Sequence, residues 1–225
     1  METMIWPDIF DGCVKAFFTR KSTGADKAIL SRVLSISTDD ICMPVQKHTD
    51  IVWLLNEERT PVRADAVLTQ TAGILIGVQV ADCVPVLLHD EGGSVIGAVH
   101  AGWKGTSLQI LKKTLAMMVE HFGSDPHDIK VAFGPSIRGN CYAVDNDVKD
   151  AVVRATGPGD YVMRKNGKYC VDLTSANMLQ ALSSGIPLKN IWQSPECTYC
   201  NPRDFHSFRY HGNHAGRQGG FIGIF

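Results

Sequence analysis

Two short segments place metal-type donors beside strand-like sequence. Ala81-Asp82-Cys83-Val84-Pro85 carries a thiol, and Val99-His100-Ala101-Gly102-Trp103-Lys104-Gly105 carries an imidazole. A second imidazole, His48, stands in Gln46-Lys47-His48-Thr49-Asp50. One thiolate and two imidazoles make three donors for a transition metal. Three protein donors leave a fourth position for water or substrate, as in catalytic rather than closed structural zinc sites. The set suits zinc, and copper or iron less exclusively. Zinc would hold Cys83 as the thiolate and lower the pKa of a bound water towards ~7. Asp82 and Asp50 adjoin two of the donors and are the candidates to orient an imidazole. The donors are 35 and 17 positions apart, so folding alone can bring them together. Taken singly, each reads as a buried core thiol or a strand-end histidine. Cys83 and His100 also suit a different chemistry, a Cys–His dyad of a hydrolase or deamidase with Cys83 as nucleophile.

Anion donors form a second group. Gly102 and Gly105 flank Trp103-Lys104, just before a helix expected to be capped by Thr106. Glycine lets the backbone approach a ligand, free amides at a helix start attract phosphate, and Lys104 adds a cation. Arg20, Arg209 and Arg217 offer planar guanidinium groups suited to phosphate. A third group is Cys197-Thr198-Tyr199-Cys200, followed by His206, His211 and His214. It allows a structural zinc site or a redox pair, although the His spacing is irregular and the flanks are not those of a helix start.

The elements that must position these residues are legible from periodicity. Residues 74–80, 84–88 and 94–99 read as strands, the last two joined by the turn signal Asp90-Glu91-Gly92-Gly93. Cys83 then lies between two strands, and His100 ends the hairpin. Leu108, Leu111, Leu115, Met118 and Phe122 keep helical spacing up to Gly123. Residues 129–133 form another strand and 145–156 another helix. Asp172 caps a helix carrying Leu173, Ala176, Leu179 and Leu182, stopped by Gly185 and Pro187. Strands are expected at 190–193 and 219–225. Interspersed helices and strands with some hairpin connections predict a layered α/β (mixed α+β) fold, a mixed sheet flanked by helices, as one domain over residues 1–225.

Composition bounds the function. The 225 residues are 44% hydrophobic and 20% charged, ordinary for a folded soluble chain. A formal net charge of −1 gives no field to gather nucleic acid or an acidic membrane. No window is long and apolar enough for a membrane span, and the first residues lack the plan of a secretory signal. Seven scattered Cys read as reduced thiols of a cytoplasmic protein.

From about residue 17 to the C-terminus the chain resembles the laccase-domain family, also called YfiH-like and formerly described as polyphenol oxidases. The resemblance runs in order through Phe18-Thr19-Arg20, Gln46-Lys47-His48, Ala64-Asp65-Ala66-Val67, Ala81-Asp82-Cys83-Val84-Pro85 and His100-Ala101-Gly102-Trp103-Lys104-Gly105. It continues through Gly134-Pro135-Ser136-Ile137, Cys141-Tyr142-Ala143-Val144, Val171-Asp172-Leu173 with Asn177, Cys197-Thr198, Phe205-His206-Ser207-Phe208-Arg209 and Gly216-Arg217. It implies that His48, Cys83 and His100 hold the metal. It also implies phosphorolysis of adenosine, inosine, guanosine and methylthioadenosine, with deamination of adenosine. Purine nucleosides and phosphate are then the expected partners and Zn2+ the expected cofactor, copper less so. On this reading Arg209 and Arg20 hold phosphate with Lys104 nearby, and Asp82 supports the site or moves a proton. Copper-dependent phenol oxidation would need several coppers and many more His ligands. The chain departs from the family pattern in a short loop after Arg20, in His206 before Ser207, and in Tyr210 where a second Arg is common.

Overall fold

The computed structural model describes residues 3–10 and 12–225. Its centre is the hairpin expected from the sequence: Val84–Asp90 pairs antiparallel with Val95–Ala101 around a turn at 91–94. Every residue of both strands is buried. That explains why they read as continuous apolar runs rather than alternating ones, since both faces of the sheet are covered.

The hairpin lies in the middle of a six-stranded sheet. Its order is Ile191–Gln193, Ile129–Phe133, Val84–Asp90, Val95–Ala101, Ala66–Thr69, Val52–Leu54. The two outermost pairings are parallel and the inner ones antiparallel, so the sheet is mixed. A five-stranded sheet, also mixed, runs Met4–Ile5, Val14–Thr19, Gln218–Ile224, Leu75–Val80, Ile41–Cys42. A small three-stranded sheet is built from Ala143–Val144, Lys168–Val171 and Val162–Lys165. The expected mixed sheet is therefore two mixed sheets and a minor one.

Side-chain alternation sorts the core into layers. Val84, Val86 and Leu88 join Leu111, Leu115 and Met118 of the helix Ile110–Phe122 on one face of the six-stranded sheet. Leu87, Ile96 and Ala98 point the other way and meet Phe18, Ile76, Val78 and Ile222 between the two large sheets. Phe17 and Phe221, one position from Phe18 and Ile222, pack with Leu30 of the helix Lys27–Leu34 on the outer face of the five-stranded sheet. The order is helix, sheet, sheet, helices.

The helices at Asn146–Thr156 and Leu173–Ser183 form as expected, the second capped by Asp172, whose carboxylate accepts from the Ser175 N–H at 2.9 Å. One expectation is corrected. Thr106 does not cap the helix after His100. A separate five-residue helix, Trp103–Ser107, starts at Gly102, and the longer helix begins afresh at Ile110 after Gln109 in a left-handed conformation. The break throws Leu108 outward, where it is 45% exposed instead of facing the core. Thr106 is buried and accepts from Asn177 Nδ2 at 2.8 Å.

Candidate metal centre and substrate cleft

Cys83 directly precedes the strand Val84–Asp90, and His100 lies near the end of its partner. The register sets Pro85 opposite His100 and Val84 opposite Ala101, so the thiol and the imidazole leave the hairpin at the same end. His48 comes from a loop outside the hairpin, with φ +57. The donor atoms of His48, Cys83 and His100 lie within 4.8 Å of one another. Cys83 Sγ is 4.0 Å from His48 Nε2, and the two rings sit 4.8 Å apart, tilted by 73°. His100 is buried, Cys83 half-buried and His48 exposed, so one side opens to solvent.

Asp65 is what holds this arrangement. It is fully buried. Its Oδ1 accepts from His100 Nδ1 at 2.8 Å, which turns the other ring nitrogen towards Cys83 and His48. The same carboxylate accepts the backbone N–H groups of Lys47 at 3.1 Å, His48 at 3.0 Å and Thr49 at 2.6 Å, and the Thr49 hydroxyl at 2.7 Å. One side chain thus shapes the His48 loop and fixes the His100 tautomer. Burial opposes its charge, but the hydrogen bonds from His100, Thr49 and Lys47 win and hold its carboxyl well below the usual range.

The imidazole-orienting role expected of Asp82 or Asp50 therefore belongs to Asp65. Asp50 pairs instead with Lys113 at the surface. Asp82, at φ +86, accepts the Thr198 hydroxyl at 2.6 Å and the Arg209 N–H at 2.7 Å. It ties the turn before Cys83 to the C-terminal segment. Asp65 stands in the Ala64-Asp65-Ala66-Val67 run. The signal for it was a charge inside an otherwise apolar stretch, which survives burial only with strong partners.

Gly102 also serves the donors. A Cβ there would lie 2.9 Å from Cys83 Sγ and 3.2 Å from His48 Cδ2. Only a residue without a side chain leaves the sulfur and the ring their places. The glycine expected to bring backbone to an anion makes room for the metal-type donors. The helix it begins has five residues.

The donor set fits a four-coordinate d10 ion. At Zn–S near 2.3 Å and Zn–N near 2.0 Å, the ligand atoms would stand roughly 3.3–3.5 Å apart, a contraction from the observed spacing. The charges are prepared for it. Burial opposes ionisation of Cys83, yet the charge of His100 and hydrogen bonds from His100 and His48 bring its thiol down to about 6. Burial likewise opposes charge on His100, but Cys83 and Asp65 raise it to about 9. A cation would take the place of the shared proton.

The donors lie in a cleft of about 510 Å3, within the range of small-molecule sites. Trp103, Tyr142 and Phe208 give it aromatic surface, and Arg209 and Arg217 give it positive charge. The Arg209 guanidinium sits 5.0 Å over the Tyr142 ring, and its Nη1 donates to the Ala143 carbonyl at 3.0 Å. Burial first, then the nearby Cys83, push the Tyr142 hydroxyl up to about 12, so it stays a proton donor at neutral pH. Tyr142, beside Cys141 in the sequence, carries no motif of its own that marks it as part of a cleft. The other expected cations do not line this cleft. Arg20 lies 3.8 Å from Glu196 and 4.0 Å from Asp204, with its guanidinium over Phe205. Lys104 is exposed and lies over Trp103.

Comparison with known proteins follows the same line. Residues 19–225 match the family described as multi-copper polyphenol oxidoreductase laccase. The chain belongs to this family. It is 36% identical to a purine nucleoside phosphorylase of Deinococcus radiodurans, over 88% of this chain and 76% of that protein. It is 34% identical to the adenosine deaminase RL5 of an unknown prokaryotic organism, over 87% of this chain and 79% of that protein. The crystal structure of YlmD from Geobacillus stearothermophilus superposes with a TM-score of 0.90 at 28% identity, covering 100% of this chain and 97% of that one. YfiH from Bacillus licheniformis gives 0.87 at 27% identity, covering 94% and 93%. The layered α/β fold with mixed sheets is that of these family members. Among the described residues no helix is long and apolar enough to cross a membrane.

Proposed function

We propose that this chain, working as one domain over residues 1–225, is a zinc-dependent purine nucleoside phosphorylase that also deaminates adenosine. One observation carries the reading: His48, Cys83 and His100 converge on one point inside a cleft that also presents aromatic faces and two arginines. The names of the relatives, a purine nucleoside phosphorylase and an adenosine deaminase, support the same two reactions.

The residues divide the work. His48, Cys83 and His100 hold the ion, which supplies Lewis acidity and an acidified water position. Trp103, Tyr142 and Phe208 take the flat purine, whose faces suit aromatic contact. Arg209 and Arg217 hold phosphate, and the guanidinium fork fixes its orientation. In phosphorolysis a phosphate oxygen bonds to C1′ of the ribose, the bond from C1′ to the purine nitrogen breaks, and its electron pair leaves with the base. In deamination water adds at the purine carbon bearing the amine, and ammonia leaves. Tyr142 lines the same cleft and, protonated at neutral pH, is the group assigned to donate a proton to substrate. Asp82 positions Arg209 by accepting its backbone N–H. Arg20 and Lys104 lie outside the cleft lining and take no part in these steps.

The test is to incubate zinc-loaded protein with adenosine, inosine, guanosine and methylthioadenosine, with and without phosphate, and to separate the products. Phosphate should be required for free base and ribose 1-phosphate, while adenosine should yield inosine without it. No base from any nucleoside would sink the phosphorylase reading.

A second reading has its own support. The lowered Cys83 thiol beside a raised His100 is also the charge pattern of a Cys–His dyad. Full activity in metal-free protein, abolished by alkylating Cys83, would favour it. For phenol oxidation, the second cluster of metal-type side chains among the described residues holds three Cys and no His, which does not supply the imidazoles that several coppers need.

A further inference from the structure

The Cys197-Thr198-Tyr199-Cys200 pair does not meet the downstream histidines as the sequence suggested. Its neighbour is Cys141, more than fifty residues earlier, and the three sulfurs lie within 4.8 Å of one another. Cys141 Sγ and Cys200 Sγ are 3.3 Å apart. Cys197 is buried, Cys141 half-buried and Cys200 exposed. We propose that Cys141, Cys197 and Cys200 form a second metal site, an all-sulfur seat for a thiophilic d10 cation, separate from the cleft.

The chain brings the thiols together by construction. Cys141 ends the short 3-10 helix Gly139–Cys141, and its N–H donates to the Arg138 carbonyl at 2.9 Å. Cys197 forms a parallel bridge with Ser136, and the Thr198 N–H donates to the Ser136 carbonyl at 3.1 Å. Arg138 then clamps the two loops. Its Nη1 donates to the Ser194 carbonyl at 3.2 Å and its Nε to Asp172 at 3.2 Å. Its backbone N–H points at Cys197 Sγ, 3.4 Å away. An N–H aimed at sulfur favours the thiolate, the form that binds metal.

The spacing suits three ligands better than one disulfide. Sulfurs at about 2.3 Å from a tetrahedral zinc stand roughly 3.8 Å apart, inside the range found here. Two Cys separated by two residues, joined by a third from elsewhere, is a ligand pattern. A disulfide would use two sulfurs and leave a thiol stranded beside it. Zn2+ would complete its shell with water on the exposed Cys200 side, and Cu(I) would be content with three sulfurs. The three Cys bind metal as thiolates, so each one still protonated gives its proton to solvent as the ion enters.

Such an ion would brace the cleft without touching substrate. Thr198, between the paired Cys, donates to Asp82, which accepts the Arg209 N–H. Tyr142, next to Cys141, lies under the Arg209 guanidinium. Both loops of the thiol cluster therefore end on the same arginine.

The test uses the reduced protein with His48→Ala, which removes one donor of the cleft site. It is loaded with Zn2+ or with Cu(I), freed of loose ion and assayed for bound metal and melting temperature. One equivalent of one of the two ions should remain and should raise the melting temperature. Both effects should vanish on adding Cys200→Ser, and which ion binds tells Zn2+ from Cu(I). Retention of the equivalent after Cys200→Ser would overturn the proposal, as would no retained ion in the His48→Ala protein. If Cys200→Ser does not fold, alkylation read peptide by peptide replaces it. Metal-loaded protein should shield Cys141, Cys197 and Cys200 together, and equal labelling with and without metal would refute the site.

Discussion

Asp65 Oδ1 accepts the Nδ1 proton of His100 at 2.8 Å, with both side chains buried. The same carboxylate gathers the backbone of Lys47, His48 and Thr49. Two imidazoles from distant parts of the chain are thus aligned by one charge that binds no metal itself. Asp65→Asn keeps the shape but removes the charge and puts a donor where donors already point. Metal affinity should fall roughly 10–100-fold, the usual cost of losing a partner behind a ligand. Stability should fall by roughly 1.5–3 kcal/mol for the lost charge-assisted bonds. Metal titration and chemical denaturation read the two effects, and an unchanged metal affinity would remove Asp65 from the site.

Gly102→Ala asks whether the close approach matters. The new Cβ would stand 2.9 Å from Cys83 Sγ, so the thiol must move. Its φ of −75 is open to any residue, so the backbone should accept alanine. Turnover should drop by about tenfold or more, since displacements near 1 Å cost on the order of 100-fold at reacting centres. The fold, read by circular dichroism, should stay intact. Wild-type turnover would show that the cleft has slack there.

Arg209→Ala should raise the phosphate KM more than the nucleoside KM, by about tenfold or more if a charge-assisted contact worth roughly 1.5–3 kcal/mol is lost. The backbone N–H bond to Asp82 survives the substitution, so Cys83 should keep its place. Equal changes in both constants would speak against a phosphate role.

The metal-free protein should show an acidic Cys83. Its thiol is brought to about 6, and the thiolate is the reactive form, so alkylation should rise as pH climbs through about 6 rather than about 9. Bound zinc should suppress it by occupying the sulfur. Mass analysis of the Cys83 peptide separates this thiol from the other Cys. A reaction midpoint near the ordinary thiol value would contradict the Cys83–His100 charge pair.

Removing metal with a chelator should stop base release and deamination together, and added Zn2+ should restore both. If chelation spares one of them, that reaction does not need the His48, Cys83 and His100 donors.

Much of the scaffold was legible in the chain because its signals are local. The hairpin from Val84 to Ala101 announced itself by two apolar runs about a Gly-Gly turn, and the Asp172 helix by its cap and by Gly185 and Pro187. The break after Trp103–Ser107 was not legible, because Leu108 keeps the helical spacing although the chain turns left-handed at Gln109. The existence of two large sheets was hidden as well, since a strand buried on both faces looks the same whatever covers it.

The sequence supplied His48, Cys83 and His100 as candidate donors, through their soft and nitrogen side chains and the segments that resemble the family. Tertiary structure decided the rest. It chose Asp65 over Asp82 and Asp50 as the carboxylate behind His100, put Arg209 and Arg217 in the cleft while turning Arg20 to Glu196 and Asp204, and gave Cys197 and Cys200 their third neighbour in Cys141. The reason is physical. A donor's chemistry belongs to the residue, but hydrogen bonds and ligand sets act over about 3–4 Å, and positions tens of residues apart come that close only when sheet register and loop path bring them there.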